Sequence, residues 1–261
     1  MTPRPDPGTT TEASSGRGRP AAYGDAFADV YDEWYGEVTD AEATADVVAD
    51  LAAGRRVLEL GVGTGRLAAP LIRRGVRLVG VDASAAMLER LARRLPHPLG
   101  VRADMAALPV ADATIGLVLC AVNTVFNLVD TPPTPPGRTQ RAAFAEAARV
   151  LEPGGLFLVE TTVVTTDPPP AGVSVTRRSA DGLVLAATRF DPHTGVVAGQ
   201  HVELGPGHLR VRPWWIRPLT PAAIDALAAA VGLVPAHHWA DWSQRPFTAD
   251  DPVRITAYRR P

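Results

Sequence analysis

Three glycines at alternate positions, Gly61, Gly63 and Gly65, separate a short apolar run from a helical segment. Because glycine has no side chain, such a loop lets a ligand approach backbone N–H groups, and it adopts backbone angles that other residues avoid. Dinucleotide oxidoreductases, nucleoside triphosphatases and methyl-donor enzymes all use glycine-rich loops between a strand and a helix. The loop by itself therefore leaves three chemistries open.

The basic residues narrow this choice, because all 26 of them are arginine and the chain contains no lysine. A phosphate-binding loop of the Walker type needs a lysine at the phosphates. A pyridoxal enzyme needs a lysine for its Schiff base, and a short-chain dehydrogenase ordinarily uses a tyrosine–lysine pair. None of these three sites can be built from this sequence.

The spacing of the glycines and the acidic residues near them narrow the choice further. A dinucleotide fingerprint has the pattern Gly-x-Gly-x-x-Gly, whereas this loop has Gly-x-Gly-x-Gly with Glu59 two positions before it. Asp82 ends the next apolar run, and Asp104 and Met105 follow the third. A carboxylate at the end of a strand can accept two charge-assisted O–H bonds from a ribose. An acid after the second strand would also suit the ribose of NAD.

Four sequence elements in order resemble the class I S-adenosylmethionine-dependent methyltransferases. They are the string "LELGVGTG", the aspartate that ends the second strand, the "DM" pair after the third, and "VLEPGGLFLVE", in which Glu152 replaces the usual basic residue. The resemblance covers residues 55–160. It implies S-adenosylmethionine as cofactor and an in-line methyl transfer that requires no metal and no covalent enzyme intermediate.

The resemblance also implies which residues hold the cofactor. In the family, the aspartate after the second strand binds both ribose hydroxyls, and the aspartate after the third binds the adenine amine. The cofactor-binding residues predicted on this basis are Tyr35, Glu59, Gly61, Gly63, Gly65, Arg66, Asp82, Ala83, Met87, Asp104, Met105 and Asn123.

The elements that position these residues follow from the alternation along the chain. Short β-branched runs alternate with helical segments up to about residue 160, which predicts a parallel sheet with right-handed crossovers. The pattern then changes to short alternating segments separated by the turn signals "ADG", "DPHTG" and "GPG". We expect an α/β fold: a Rossmann-like doubly wound sheet of parallel strands with an antiparallel closing strand, plus an antiparallel β insert after strand five.

Composition divides the chain into a tail and one domain. Residues 1–20 are rich in Pro, Gly, Ser and Thr with almost no apolar residue, which predicts a disordered tail. We expect residues 21–261 to form a single methyltransferase domain, in which residues 172–217 form an antiparallel, lid-like insert. The aromatic residues between positions 23 and 35 recur at helical spacing, so they form either a core stripe or a lid over a ligand.

The methyl acceptor is less well defined than the donor. The aromatic N-terminal segment, the insert and the ending "RPFTADDPVRITAY" resemble a narrower set of bacterial small-molecule and peptide methyltransferases, including amino-sugar N-methyltransferases. Polar residues after strand four either cap the next turn or hold a ligand, and two adjacent tryptophans in a strand point to opposite faces. The predicted acceptor-binding residues are Tyr31, Tyr35, Asn123, Asn127 and Trp214.

Charge and cysteine content limit the partners. A formal net charge of −2 without clustered cations disfavours nucleic acid and anionic membranes, and the single cysteine excludes an intrachain disulfide. No apolar run is long enough to span a membrane, and no cluster has metal-ligand spacing. We expect a cytoplasmic monomer or homodimer of bacterial secondary metabolism.

The expected activity is methyl transfer to an N or O atom of a small molecule or small peptide. Two alternatives remain open from sequence: an NAD(P)-dependent oxidoreductase, which would need a proton relay that the sequence does not show, and a non-catalytic donor-binding subunit.

Overall fold

The computed structural model describes residues 17–95, 99–164 and 171–261. Its helices are α1 Ala22–Phe27, α2 Tyr31–Tyr35, α3 Ala41–Ala52, α4 Ala68–Arg73, α5 Ala85–Arg94, α6 Arg138–Val150 and α7 Pro221–Ala230, with a 3₁₀ turn at Thr124–Asn127. Its strands are β1 Arg56–Leu60, β2 Arg77–Asp82, β3 Gly100–Arg102, β4 Ile115–Cys120, β5 Leu151–Thr162, β6 Gly172–Arg178, β7 Leu183–Asp191, β8 Val196–Gly205, β9 His208–Ile216, β10 Val234–Trp239 and β11 Val253–Arg259.

The main sheet has the strand order β10-β11-β5-β4-β1-β2-β3. The five adjacent strands β5, β4, β1, β2 and β3 run parallel to one another, whereas β11 runs antiparallel to both β5 and β10. The strand order reverses between β1 and β4, and ligands bind at such points in open α/β sheets. The expected doubly wound sheet with an antiparallel closing strand is confirmed.

Both faces of the main sheet are covered, which explains why the central strand β4 is apolar and buried at every position. On one face, Leu58 and Val118 pack with α6 and α7. On the other face, Val57 and Leu117 pack with α3 and α4. The buried faces leave only the strand ends of the main sheet to present polar groups to a ligand.

The antiparallel insert forms a second sheet with the order β6-β7-β8-β9. The N-terminal helices lie against it, and the buried Arg212 side chain is the main polar contact. Its guanidinium donates to Asp29 at 2.6 and 2.9 Å, to Glu203 at 3.0 Å and to the Ala26 carbonyl at 2.8 Å. These contacts fix the insert relative to the start of the chain.

The aromatic stripe is divided between two short helices instead of lying on one continuous helical face. α1 ends at Phe27, and α2 begins at Tyr31 after a turn at residues 28–30. Helices of five or six residues gain their stability from packing. Here Phe27 and Trp34 are buried against Val184 of the insert.

Two further expectations concern the chain ends and the membrane. The disordered tail predicted over residues 1–20 falls mostly on residues 1–16, which lie outside the described residues. Within the described ranges, no helix combines the length and apolar character needed to cross a bilayer.

Candidate active site

The loop after β1 has a backbone that only glycine adopts readily. Gly61, Gly63 and Gly65 all have positive φ, at 72°, 55° and 84°. A Cβ on Gly61 would lie 2.5 Å from Thr124, and one on Gly65 would lie 2.4 Å from Leu91. At Gly63, no atom outside its immediate chain neighbours lies closer than 3.9 Å to the Cβ position. The first and third glycines therefore permit packing within the protein, and Gly63 leaves its side of the loop open.

Asp82, at the end of β2, connects this loop to the next helix. Its Oδ2 accepts the Gly63 N–H at 2.9 Å and its Oδ1 accepts the Ser84 N–H at 2.8 Å. Burial raises the pKa of the Asp82 carboxyl, and these two hydrogen bonds oppose that rise. Each oxygen keeps a further lone pair with which it can accept a ligand hydroxyl.

A cavity of about 340 Å³ lies at the carboxyl edge of the main sheet, where the ends of β1, β2 and β4 meet. Its loop side is formed by Gly61, Gly63, Asp82, Ala83, Met87, Asp104 and Met105. Its aromatic side is formed by Tyr23, Tyr31, Tyr35, Phe126, His201 and Trp214. The volume is within the range of small-molecule sites.

A smaller pocket of about 20 Å³ adjoins this cavity and shares Tyr31, Gly61 and Gly63 with it. Glu59 and Arg66 line it, and neither has its polar atoms fully satisfied. Glu59 Oε2 and Arg66 Nε and Nη1 are buried without a hydrogen-bond partner among the described residues. Burial raises the pKa of Glu59 to about 8, although Arg66 opposes the rise. Such groups are costly unless a ligand or water pairs with them.

Three tyrosine side chains of the aromatic side line the cavity together. Tyr31 and Tyr35 have ring centroids 5.3 Å apart, and Tyr23 stacks on Phe27 at 4.7 Å. Burial is the largest cause that raises the pKa of Tyr23 and of Tyr31, and the Tyr35 hydroxyl adds to both shifts. The Tyr23 and Tyr31 phenols therefore remain protonated at neutral pH and can donate hydrogen bonds.

The insert closes the aromatic side through His201 and Trp214. The His201 ring lies 5.5 Å from Phe27, 5.7 Å from Trp34 and 5.9 Å from Trp214. Burial lowers the pKa of His201, with further lowering by Arg177 and Arg212, so the imidazole is neutral at pH 7. His201 Nδ1 and Trp214 Nε1 are buried without a partner among the described residues.

Trp214 occupies its position because the neighbouring strand carries Gly199. The two residues are paired between β8 and β9, and a Cβ on Gly199 would lie 2.1 Å from the indole. Glycine within a strand commonly marks such a close approach. The sequence signal for this contact is a glycine in the interior of a strand.

Glu160 holds the segment after β4 at the cavity. Val122 and Asn123 both have positive φ, at 52° and 60°, which is strained for a β-branched valine. Glu160 Oε2 accepts the Val122 N–H at 2.9 Å, and Oε1 accepts from Thr39 Oγ1 at 2.9 Å and Trp242 Nε1 at 3.0 Å. One buried carboxylate therefore joins three separate segments.

The structure brings most of the predicted site residues together. Tyr31, Tyr35, Gly61, Gly63, Asp82, Ala83, Met87, Asp104, Met105, Asn123, Asn127 and Trp214 line the main cavity, and Glu59 and Arg66 line the adjoining pocket.

Two of the predicted residues have structural partners. Gly65 lines neither pocket and instead packs against Leu91, so its lack of a side chain serves helix packing. Asn123 Oδ1 accepts the Thr162 N–H at 2.7 Å, so this oxygen is engaged by the protein. The sequence alone did not single out Tyr23 or His201, although both lie in segments with aromatic or alternating patterns.

The described ranges contain no group of three or more His, Cys, Asp and Glu side chains placed to hold a metal ion. The polar side chains that line the cavity include carboxylates, phenols, amides and an imidazole.

Residues 58–159 match the family model described as a methyltransferase domain. An uncharacterized methyltransferase of Mycobacterium tuberculosis is 39% identical over 104 residues, a match that covers 40% of this chain and 38% of that relative. The chain thus spans well under half the length of this curated relative.

Solved structures match over a larger share of the chain. The CcbJ methyltransferase of Streptomyces caelestis has a TM-score of 0.82 at 33% identity, covering 92% of this chain and 98% of that one. CalS10 of Micromonospora echinaspora, an amino pentose methyltransferase solved with its methyl donor bound, has a TM-score of 0.66 at 23% identity, covering 89% and 97%. The second similarity shows the fold alone.

Replacing Glu160 by alanine should destabilise the protein by about 3 kcal/mol, because the buried Trp242 N–H and the Val122 N–H lose their acceptor. Urea unfolding measures the change. Glu152→Ala is the control, since Glu152 forms a part-exposed pair with Arg55 at 3.4 Å, and such a pair is worth about 1 kcal/mol or less. Equal losses of unfolding free energy in the two variants would contradict the role of Glu160 in holding the three segments together.

Glu59 should make the ligand-free protein less stable as pH rises. The folded pKa of Glu59, about 8, exceeds the unfolded value of 4.5. The stability that this residue contributes is therefore fully present below pH 4.5 and is lost as the pH rises toward 8. The slope can reach about 1.4 kcal/mol per pH unit. Urea unfolding between pH 5 and 8 should give a flatter profile for Glu59→Gln than for the wild type or for Glu37→Gln, which changes an exposed glutamate. An unchanged profile in Glu59→Gln would contradict this assignment.

Proposed function

The chain belongs to the class I S-adenosylmethionine-dependent methyltransferases, and we propose that it methylates an N or O atom of a small molecule or small peptide held on the aromatic side of the cavity. The observation that carries this proposal is the joining of two unlike surfaces in one cavity. Its loop side contains the acidic and glycine residues, and its aromatic side contains neutral rings.

The unpaired groups of the small pocket fit the amino-acid end of S-adenosylmethionine. This end is a zwitterion, so its ammonium can pair with Glu59 and its carboxylate with the Arg66 guanidinium. Glu59 is buried, Arg66 is half-buried, and both have buried polar atoms without partners among the described residues. Charge-assisted hydrogen bonds of this kind are among the strongest available to a protein. Binding would thus satisfy groups that the protein leaves unpaired.

The rest of the loop side fits the nucleoside. Asp82 is held by two backbone N–H groups and can accept the ribose hydroxyls with its remaining lone pairs. Asp104 lies at the same edge of the sheet and can accept from an exocyclic amine, while Met105 and Met87 offer apolar contact to the base. The open space beside Gly63 permits close approach of the ligand to the loop.

When bound, S-adenosylmethionine supplies a methyl group carried by a positively charged sulfur. The chain's own contribution is to hold the acceptor in line with that group, and positioning of this kind can be worth about 7–11 kcal/mol in favourable cases. The aromatic rings keep water away, and the protonated Tyr23 and Tyr31 hydroxyls offer hydrogen bonds that orient polar groups.

The aromatic side favours an acceptor without phosphate or carboxylate groups. The described cavity lining contains no arginine, and its carboxylates, Asp82 and Asp104, lie on the loop side. Neutral His201 and the Trp214 N–H are available to bind a hydroxyl, amine or amide. A compact acceptor that combines a ring with such groups meets these conditions. The amino pentose of CalS10 is a chemically similar acceptor class.

Asp82→Ala should weaken binding of S-adenosylmethionine about 10- to 100-fold, because charge-assisted bonds to the ribose are lost. Calorimetric titration with S-adenosylmethionine and with its demethylated product measures the change. Asp50→Ala, at an exposed aspartate on α3, is the control and should bind as the wild type does. Unchanged affinity in Asp82→Ala would remove the ribose assignment.

Incubation with methyl-labelled S-adenosylmethionine and a metabolite extract should label a small molecule or small peptide at N or O. Mass spectrometry identifies the product and the methylated atom. The protein with Asp82→Ala is the control and should give less product at limiting donor. Donor binding without any labelled product, or label on a macromolecule, would contradict the proposed acceptor class.

A further inference from the structure

The insert sheet has two faces of different character. On the inner face, Val184 and Arg212 are buried under the N-terminal helices, and His201 and Trp214 reach the cavity. Because side chains alternate along each strand, the intervening residues form the opposite face, which we name the outer face.

The middle of the outer face is mainly apolar. Its central row pairs Val175 with Leu185, Leu185 with Val202, and Val202 with Val211. The next row contains three leucines, one each from β7, β8 and β9. Val173 and Leu209, on the two edge strands, are 70% and 65% exposed, and Val175 and Val211 are 42% and 45% exposed. The aligned rows form a contiguous apolar patch, larger than isolated surface residues would give.

The segments outside the described ranges are poorly suited to cover this face. Residues 1–16 contain one large apolar side chain, Met1, and residues 165–170 consist of two threonines, an aspartate and three prolines. Such compositions provide little apolar surface to bury. Neither of these two segments is therefore the occupant that we propose.

We propose that the outer face is the interface through which two copies of this chain form a dimer. Four strands of seven to ten residues present a face of roughly 500 Å² at the usual strand spacing. Two such faces together bury roughly the 1,000 Å² that a specific interface needs.

Charge and symmetry favour a second copy over another occupant. The central row carries no ionisable side chain, Arg178 pairs with Leu183 at the β6 end of the leucine row, and Arg189 pairs with Ala198 toward the other end of β7. An uncharged patch with a polar rim has the anatomy of a protein interface, and a twofold axis lets one patch pair with itself. Two sheets then stack face to face as in a β-sandwich. In the dimer, the partner's insert sheet packs on the outer face of the sheet whose inner face carries His201 and Trp214. The dimer contact therefore stabilises the sheet that forms this side of the cavity.

Sedimentation equilibrium of the full chain over a micromolar to millimolar series tests the dimer. The wild type should dimerise, and Val211→Glu should weaken dimerisation about 100-fold or more, because two like charges are placed in an apolar contact. Leu209→Glu should act in the same direction. Both residues are exposed within one chain, so a charge there is compatible with folding, which circular dichroism checks.

Val234→Glu is the matched control, because this valine of β10 is 47% exposed and lies on the edge of the main sheet. It should dimerise as the wild type does. A wild type that stays monomeric throughout the series overturns the proposal, as does a dimer that Val211→Glu and Leu209→Glu leave intact. Equal weakening by Val234→Glu also overturns it, because the contact would then lie elsewhere.

Discussion

The carboxylate of Asp82 is the interaction on which the site depends. It accepts one N–H from the glycine loop after β1 and one from the first residue before α5. Ser84 in turn donates its hydroxyl to Asp25 of α1 at 2.7 Å. A buried carboxylate is stable only when its oxygens are paired, so these bonds fix the loop, the helix start and the N-terminal segment together.

The N-terminal helices connect the two halves of the molecule through three aspartates. Asp25 pairs with Ser84, Asp32 accepts from Thr64 at 2.5 Å on the main-sheet side, and Asp29 binds the buried Arg212 of the insert. Ser84 and Thr64, the main-sheet partners of two of these aspartates, are buried. The N-terminal helices are therefore held by polar contacts to both the main sheet and the insert.

The division of the cavity also explains how a charged donor and a neutral acceptor could share it. Glu59 and Arg66 lie at one end, where their buried, unpaired atoms favour a zwitterion. His201 is kept neutral at the other end by burial and by nearby arginines. The Glu160 carboxylate holds the strained backbone at Val122 between the two ends. The electrostatic difference arises from residues that are far apart in sequence.

The sequence determined the alternation of strands and helices, the glycine loop and the positions of Asp82 and Asp104, because these depend on local periodicity and on spacing within βα units. It also located the insert. It did not reveal that Gly65 packs against Leu91, that Glu160 joins three segments, or that His201 lies against Phe27. Those contacts join residues up to 174 positions apart (His201 and Phe27), and local pattern carries no information about such distances. Only the tertiary structure decided which polar groups are buried without a partner.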